Sequence, residues 1–159
     1  MAIYIFIFFL IILFDQITKY ILTASFFLGE EKSIIPGILS FNYIQNKGAA
    51  FGMLEGARVF FIILTVLIFI GAIYYIVKMR PVSRLEKTAL CFIGGGAIGN
   101  FIDRLFLGYV RDFIRVDFID FPIFNIADCF VTIGAALYIL YAFTDTKKKR
   151  AASPISRSD

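Results

Sequence analysis

Four apolar stretches, each about as long as a bilayer is thick, constrain this chain more than any other feature of its sequence. They cover residues 3–24, 59–77, 85–102 and 123–143. Because a helix rises about 1.5 Å per residue, the second stretch alone spans about 28 Å, close to the hydrocarbon thickness. Apolar residues make up 60% of the 159 residues, more than a water-soluble domain of this size can bury. The sequence therefore predicts an all-α polytopic membrane protein with four transmembrane helices.

Basic residues in the connecting segments predict the orientation of these helices. The link 78–87 carries four Lys or Arg against one Glu, and the tail 144–159 carries five against two Asp. The segments 26–57 and 103–124 each carry more acidic than basic residues. Since cytoplasmic loops are rich in Lys and Arg, the link, the tail and both termini are predicted to be cytoplasmic. We expect one transmembrane domain, residues 1–143, and a basic tail, 144–159, that is disordered near anionic head groups.

The two segments predicted to face outward show strand-like patterns. In 34–46 a Pro-Gly turn signal precedes β-branched and aromatic residues in partial alternation, and in 108–122 Val, Phe and Ile are interleaved with charges. Such patterns are typical of short strands bounded by turns. We therefore expect a small sheet on the outer side of the membrane.

The absence of His narrows the possible chemistry. The chain has no His, and its two Cys lie in apolar runs, where they are expected to be buried hydrophobes rather than a disulfide. Ser-His-Asp and Cys-His mechanisms and His-ligated zinc are excluded. We expect no metal and no cofactor, and any acid–base chemistry falls mainly to carboxylates, Lys or Tyr.

Most polar residues of the apolar stretches lie toward the predicted outer ends of their helices. An ionisable side chain at the centre of a bilayer costs about 3 kcal/mol, and such groups usually mark a functional site. Asn125 and Asp128 are three residues apart and share a helix face. The whole set is Asp15, Lys19, Asn100, Asp103, Arg104, Asn125 and Asp128.

Structural interpretations compete with functional ones for several of these residues. Asp15 and Lys19, one turn apart, fit a buried ion pair as well as a functional role. For Asp103 and Arg104 the structural interpretation, an interfacial ion pair, is favoured. The stretch GGGAIG (94–99) matches the dinucleotide-binding pattern, but no strand precedes it, so close helix packing is favoured.

Asp128 is the residue for which a structural role is hardest to find. No basic residue lies within four positions of it, so a partner must come from elsewhere in the chain. The candidates are the outward acids Asp112, Asp117 and Asp120. Two carboxyls in a poorly solvated site tend to share one proton, as in aspartic proteases. Spacing alone does not choose among the three candidates.

Five polar motifs follow one another over about residues 15–143. They are Asp15 with Lys19, NKGAAFG (46–52), GGAIGNFIDR (95–104), VRDF (110–113) and FNIAD (124–128). In order and spacing, these motifs resemble those of the lipoprotein signal peptidases, or signal peptidase II.

This resemblance implies an aspartic endopeptidase of the bacterial inner membrane, with its active site near the periplasmic face. The family removes signal peptides from prolipoproteins by cleaving before a diacylglyceryl-modified cysteine, without a cofactor. The implied fold has an extracytoplasmic β-cradle and a short periplasmic helix. The implied partners are prolipoproteins, membrane lipids and globomycin-like inhibitors, with no nucleic acid, and a monomer is expected.

The resemblance also implies a role for each polar position. Asp112 and Asp128 correspond to the catalytic dyad. The positions that bind or orient substrate are Asn46, Gly48, Asn100, Arg104 and Asn125, and those that support the structure are Asp15, Lys19 and Asp103. The sequence departs from the family pattern at Lys47, Arg111 and Cys129. If 110–113 is extended, the side chain of Arg111 points away from that of Asp112.

Three other functions fit parts of the sequence. A proton- or ion-coupled transporter would use the same acids as a relay, but it would place them near the midplane. A membrane scaffold would leave Asp128 without a role. An intramembrane aspartic protease of another type would place both acids in helices, whereas Asp112 is predicted outside one.

Overall fold

The computed structural model describes residues 2–48 and 53–152. Four helices dominate it, and each is long and apolar enough to cross a membrane. They are α1 (Ala2–Ser25), α2 (Arg58–Met79), α3 (Arg84–Phe106) and α4 (Ile126–Ala152). The four predicted helices are therefore present.

Three strands form a small antiparallel sheet at one end of the helix bundle. They are β1 (Glu31–Ile35), β2 (Leu39–Asn46) and β3 (Val110–Val116), in the order β1-β2-β3. The hairpin of β1 and β2 lies between α1 and α2 in the chain, and β3 lies between α3 and α4. The small sheet expected from 34–46 and 108–122 is thus present. A short helix is not found in the described parts of these connections, and residues 49–52 of the NKGAAFG motif lie outside the described residues.

The fourth helix differs from its prediction at both ends. It begins at Ile126, three residues later than expected, because Phe124 forms a β-bridge with Ile114 of β3. It continues to Ala152, so the prediction of a disordered tail is wrong for residues 144–152. Extending an existing helix adds one hydrogen bond per residue, and the run of Lys, Arg and Ala favours helix. Residues 153–159 of the predicted tail lie outside the described residues.

Glycines of α3 allow close helix contacts on two sides. A Cβ added at Gly95 would lie 2.9 Å from a methyl carbon of Ile11 in α1. A Cβ at Gly99 would lie 2.5 Å from the carboxylate of Asp15 and 3.2 Å from Ala127 in α4. Only glycine fits such approaches, so the interpretation of 94–99 as a helix-packing motif is confirmed.

Candidate active site

The first turn of α4 is built as a reciprocal cap. The backbone N–H of Asp128 donates to the side-chain oxygen of Asn125 at 3.0 Å, and the N–H of Asn125 donates to Oδ2 of Asp128 at 3.1 Å. This is a capping box with Asn at the cap and Asp three residues later. The cap fixes the side chain of Asp128 at a helix N-terminus, where a negative charge is favoured.

The second carboxyl, Asp112, lies in the middle of β3 and is 2% exposed. Next to it the register of β2 shifts, because Phe41 pairs with Ile114 but Ile44 pairs with Asp112. Two residues of β2 therefore oppose Phe113 alone, which is the pattern of a β-bulge. Bulges re-aim neighbouring side chains and are common beside active sites.

Asn125 connects the two carboxyls directly. Its Nδ2 donates to Oδ1 of Asp112 at 2.6 Å, while its backbone N–H donates to Oδ2 of Asp128. Its side-chain oxygen is occupied by the N–H of Asp128, so the amide can present only its NH₂ group to Asp112. The side chain is fully buried, which holds this arrangement in place.

A second amide joins Asp128 to the interior of the bundle. Nζ of Lys19 donates to Oδ1 of Asn100 at 2.9 Å, and Nδ2 of Asn100 donates to Oδ1 of Asp128 at 2.7 Å. Because the Lys ammonium can only donate, it fixes the orientation of the Asn100 amide. The carboxylate of Asp128 therefore accepts two bonds from groups that cannot reorient.

The β2 end of the site is held in a similar way. Nδ2 of Asn46 donates to Oδ2 of Asp112 at 2.9 Å, and its oxygen accepts the N–H of Gly48 at 2.9 Å. Nη2 of Arg104 donates to the carbonyl of Gly48 at 3.1 Å, and its guanidinium lies 4.8 Å from the ring centroid of Phe61. Arg104 thus brings a positive charge next to the two acids.

Both carboxyls line one cavity of about 470 Å³, here named the site cavity. Its polar wall contains Asn46, Asn100, Arg104, Asp112 and Asp128. Its other walls are largely apolar and come from 121–124 and from the α4 residues Cys129, Thr132 and Ile133. The cavity therefore combines two carboxyls and one cation with a surface suited to hydrocarbon.

Burial sets the protonation of Asp112. Removal from water, followed by the nearby charge of Asp128, raises the pKa of the Asp112 carboxyl from 3.8 to about 7, although the amides of Asn46 and Asn125 act in the opposite direction. Below that pH the proton remains on the pair, and above it the proton is lost. A pair of carboxyls that holds one proton near neutral pH can act as acid and base together.

Four charged residues form a second, buried cluster behind the site. Nζ of Lys19 lies 2.9 Å from Oδ2 of Asp15 and 3.4 Å from Oδ2 of Asp103. Nη2 of Arg111 lies 2.7 Å from Oδ1 of Asp103. Gln16 donates to both carboxylates and accepts from Arg111. Two cations and two anions balance, which compensates for removing them from water.

The structure decides several points that the sequence left open. Asp15 and Lys19 form the ion pair, but they also support the site through Asn100. An ion pair between Asp103 and Arg104 is wrong, because Asp103 contacts Lys19 and Arg111 instead. Adjacent helical residues point in different directions, so their side chains do not meet.

Of the three candidate acids, only Asp112 lines the site cavity. Asp117 accepts a hydrogen bond from Ser40 in β2, and Asp120 is exposed. Since alternate residues of a strand point to opposite faces, Arg111 contacts Asp103 while Asp112 contacts Asn125. The prediction that Arg111 points away from Asp112 is confirmed.

Sequence reasoning missed Gln16 and the buried role of Arg111. Gln16 is a polar residue beside Asp15 in an apolar helix, which is a detectable signal. Arg111 makes three hydrogen bonds to Asp103, one from its backbone and two from its guanidinium. A strand pattern shows only that its side chain faces away from Asp112, and cannot identify a partner on another element.

Replacing Arg111 with Met is expected to lower the free energy of unfolding by about 2 to 3 kcal/mol, because hydrogen bonds to a buried charge are lost. The matched control is Arg115→Met on the same strand, where both members of the ion pair with Glu31 are 43% exposed. We expect that change to cost less than about 1 kcal/mol. Unfolding by denaturant in detergent measures both. Equal losses of unfolding free energy in the two variants would contradict the buried role of Arg111.

The described residues contain no cluster of three or more His, Cys, Asp or Glu that could hold a metal ion. The polar groups that line the site cavity are its carboxyls, its amides and the guanidinium of Arg104. These groups can bind a polar backbone, orient a water molecule and transfer protons.

Comparisons with known proteins find one family that matches most of this chain. The family model for signal peptidase (SPase) II, Peptidase_A8, matches residues 7–144. The lipoprotein signal peptidase of Streptococcus pyogenes serotype M5 (strain Manfredo) is 45% identical over 131 residues, covering 82% of this chain and 86% of that protein. The lipoprotein signal peptidase of Lactobacillus johnsonii (strain CNCM I-12250 / La1 / NCC 533) is 42% identical over 147 residues, covering 92% and 96%.

Two solved structures, both described as bacterial membrane enzymes determined by the in meso method, share the fold. The one at 2.3 Å resolution has a TM-score of 0.89 and 39% identity, covering 94% of this chain and 92% of its own. The one at 1.9 Å resolution has a TM-score of 0.84 and 39% identity, covering 91% and 95%. Because the family model and these relatives match most of its length, this chain belongs to the signal peptidase II family of lipoprotein signal peptidases and is a multi-pass membrane protease.

Proposed function

We propose that this protease removes the signal peptide from diacylglyceryl-modified prolipoproteins by cleaving before the lipidated cysteine. Asp112 and Asp128 act as the catalytic dyad. The observation that carries the proposal is the bridge by Asn125, whose side chain binds Asp112 while its backbone binds Asp128. The substrate class rests on the similarity to the lipoprotein signal peptidases.

The proposed reaction needs one proton on the dyad. Ionised Asp128 removes a proton from a water molecule, whose oxygen attacks the carbonyl carbon of the scissile bond. Protonated Asp112 donates its proton to the carbonyl oxygen, which gives a gem-diol. The C–N bond then breaks as Asp128 passes its proton to the leaving nitrogen, and a gem-diol hydroxyl returns a proton to Asp112. The dyad ends in its starting protonation state.

The remaining polar residues position these groups. Asn46, Asn100 and Asn125 hold the carboxyls by the hydrogen bonds described above. Arg104 faces the same cavity, and its charge stabilises the negative charge that develops on the substrate oxygen. Gly48 allows Arg104 to bond the backbone of the loop after β2, where a Cβ would lie 2.5 Å from the carbonyl oxygen of Met53. This contact holds the backbone of Gly48 against Arg104.

In the proposed arrangement, the membrane surrounds the helices and sets the side on which the site cavity opens. Residues 1–143 work as one transmembrane peptidase domain of the bacterial inner membrane, with both termini and the basic tail 144–159 in the cytoplasm. The site cavity then opens near the periplasmic face, beneath a cradle formed by the sheet. The apolar wall at 121–124 receives the lipidated part of the substrate, and globomycin-like inhibitors compete for the same space. The enzyme works as a monomer without a cofactor.

Cleavage by the wild-type chain is expected to fall as the pH rises through about 7. Above this pH the dyad loses its shared proton, because the pKa of Asp112 is raised to about 7, and no acid remains to protonate the carbonyl oxygen. Initial rates of kcat/KM between pH 5 and 9 measure this fall. A flat profile over that range would contradict the shared proton.

The substrate class is tested by comparing two forms of one prolipoprotein, with and without the diacylglyceryl group. We expect the purified chain to cleave the lipidated form at least about 100-fold faster in kcat/KM, equivalent to about 2.7 kcal/mol of differential binding. The mass of the mature product gives the cleavage position. Equal cleavage of both forms would contradict lipid recognition while leaving the dyad untouched.

A further inference from the structure

A second cavity, of about 450 Å³, lies between α1 and α2 in the half of the bundle away from the site cavity. We name it the distal groove. Phe8 and Phe9 of α1 and Ile73 of α2 contribute to its walls, and Gly94 and Ala97 of α3 form its floor. Its lining is almost entirely apolar, so it fits hydrocarbon.

The distal groove exists because α2 packs loosely. Both α1 and α2 pack on α3, but they make little contact with each other. None of the 22 residues of α2 is buried. Because Gly94 and Ala97 of α3 have small side chains, they do not fill the space between α1 and α2. Side chains that border an empty apolar space lose dispersion contacts, because they have no partner atoms on that side. In a bilayer we therefore expect an apolar group to fill the space.

Among the described residues that line the distal groove, Lys87 is the one that carries a charge. Its Nζ lies 6.0 Å from the ring centroid of Tyr4, and no carboxylate within the described part of the chain forms an ion pair with it. The neighbouring acid, Glu86, is buried and accepts a hydrogen bond from Tyr75. Within the described residues, the ammonium of Lys87 is therefore not neutralised by a carboxylate.

Further cations stand at the same end of the bundle. The connection from α2 to α3 adds Arg80, and α3 begins with Arg84; both residues are exposed. Glu86 is the only acid of the link 78–87, and it is turned toward Tyr75. An apolar groove that ends near several cations is complementary to a lipid with an anionic head group.

We propose that the distal groove binds one acyl chain of an anionic glycerophospholipid, with the head-group phosphate on Lys87. The cationic end of the groove argues against the signal helix of a substrate as the occupant, because signal peptides carry a positively charged segment next to their apolar one. A single acyl chain needs no backbone partners and fits a narrow apolar space. This site is separate from the site cavity and independent of the cleavage reaction.

The probe is phosphatidylglycerol, with phosphatidylcholine as the zwitterionic comparison. Native mass spectrometry of the purified chain, released from nanodiscs of equal lipid content, counts the retained lipids. We expect phosphatidylglycerol to be retained in preference, and Lys87→Gln to weaken its binding about fivefold, the effect of one basic residue on an anionic lipid. The matched control is Lys78→Gln, because Lys78 bonds Tyr74 and does not line the groove. We expect that control to stay within about twofold of wild type.

A second variant tests the acyl chain rather than the phosphate. Ala72→Phe adds bulk from α2 into the groove and is expected to lower retention of both lipids, with an unchanged midpoint of thermal unfolding. The proposal would be overturned if Lys87→Gln and Lys78→Gln lost equal amounts of phosphatidylglycerol binding, or if the wild type retained the two lipids equally. So would cross-linking of a substrate signal peptide, rather than lipid, to a photoreactive residue at position 72.

Discussion

Asp112→Asn and Asp128→Asn are each expected to cleave a diacylglyceryl-modified prolipoprotein about 10,000-fold more slowly than the wild type. Asn keeps the size of the side chain but can neither release nor accept the transferred proton, and general acid–base catalysis contributes up to about that factor. The double variant is expected to be no slower than either single one, because the two carboxyls act as one unit. Single-turnover cleavage measured in detergent gives all three rates.

Two neighbouring acids provide the controls for these variants. Asp117→Asn and Asp120→Asn make the same chemical change outside the site cavity, since Asp117 accepts from Ser40 and Asp120 is exposed. We expect their rates to stay within about threefold of wild type, because neither side chain lines the site cavity. A loss in Asp120→Asn comparable to that in Asp112→Asn would mean that the dyad is wrongly assigned.

Lys19→Met is expected to lower the free energy of unfolding by about 3 to 5 kcal/mol, the usual cost of removing one partner from a buried ion pair. Lys19 is 0% exposed and contacts both Asp15 and Asp103. Without it, the cluster keeps two anions and one cation in the interior. The variant is also expected to cleave more slowly, because the ammonium orients Asn100 toward Asp128. Denaturant unfolding and initial rates measure the two effects separately.

Restoring the charge balance of the buried cluster tests whether the lost stability comes from its unbalanced charge. Adding Asp15→Asn to Lys19→Met returns the cluster to one anion and one cation, Asp103 and Arg111, and is expected to recover part of the stability. Lys32→Met removes the same charge from an exposed position in β1 and is expected to cost less than about 1 kcal/mol. If Lys19→Met were no more costly than Lys32→Met, the charge cluster would not stabilise the fold.

The helices and the strands could be predicted from the sequence because their signals are local. Long apolar runs predict the four helices, and the alternation in 34–46 and 108–122 predicts the sheet. Hydropathy predicts too early a start for α4, because it does not detect the bridge that Phe124 forms with Ile114 of β3. The Asn-x-x-Asp cap at Asn125 is a local signal and would have given the correct start.

The candidate site could be predicted only in part. Motif order pointed to Asp112 and Asp128, but spacing alone did not separate Asp112 from Asp117. That choice depends on which face of β3 meets α4, a tertiary feature. The partners of Asp103 were also beyond the sequence, because Arg111 reaches it from a strand and Lys19 from another helix. Buried charge networks of this kind are defined by packing, not by periodicity.

The proposed cleavage and its dyad are tested together by the mass of the products that the purified chain forms from a diacylglyceryl-modified prolipoprotein, with Asp112→Asn and Asp128→Asn run beside it. We expect the wild type to release the signal peptide by cutting the bond before the lipidated cysteine, and neither variant to do so in the same time. A cut at another bond, or the same product from either variant at a comparable rate, would overturn the proposal.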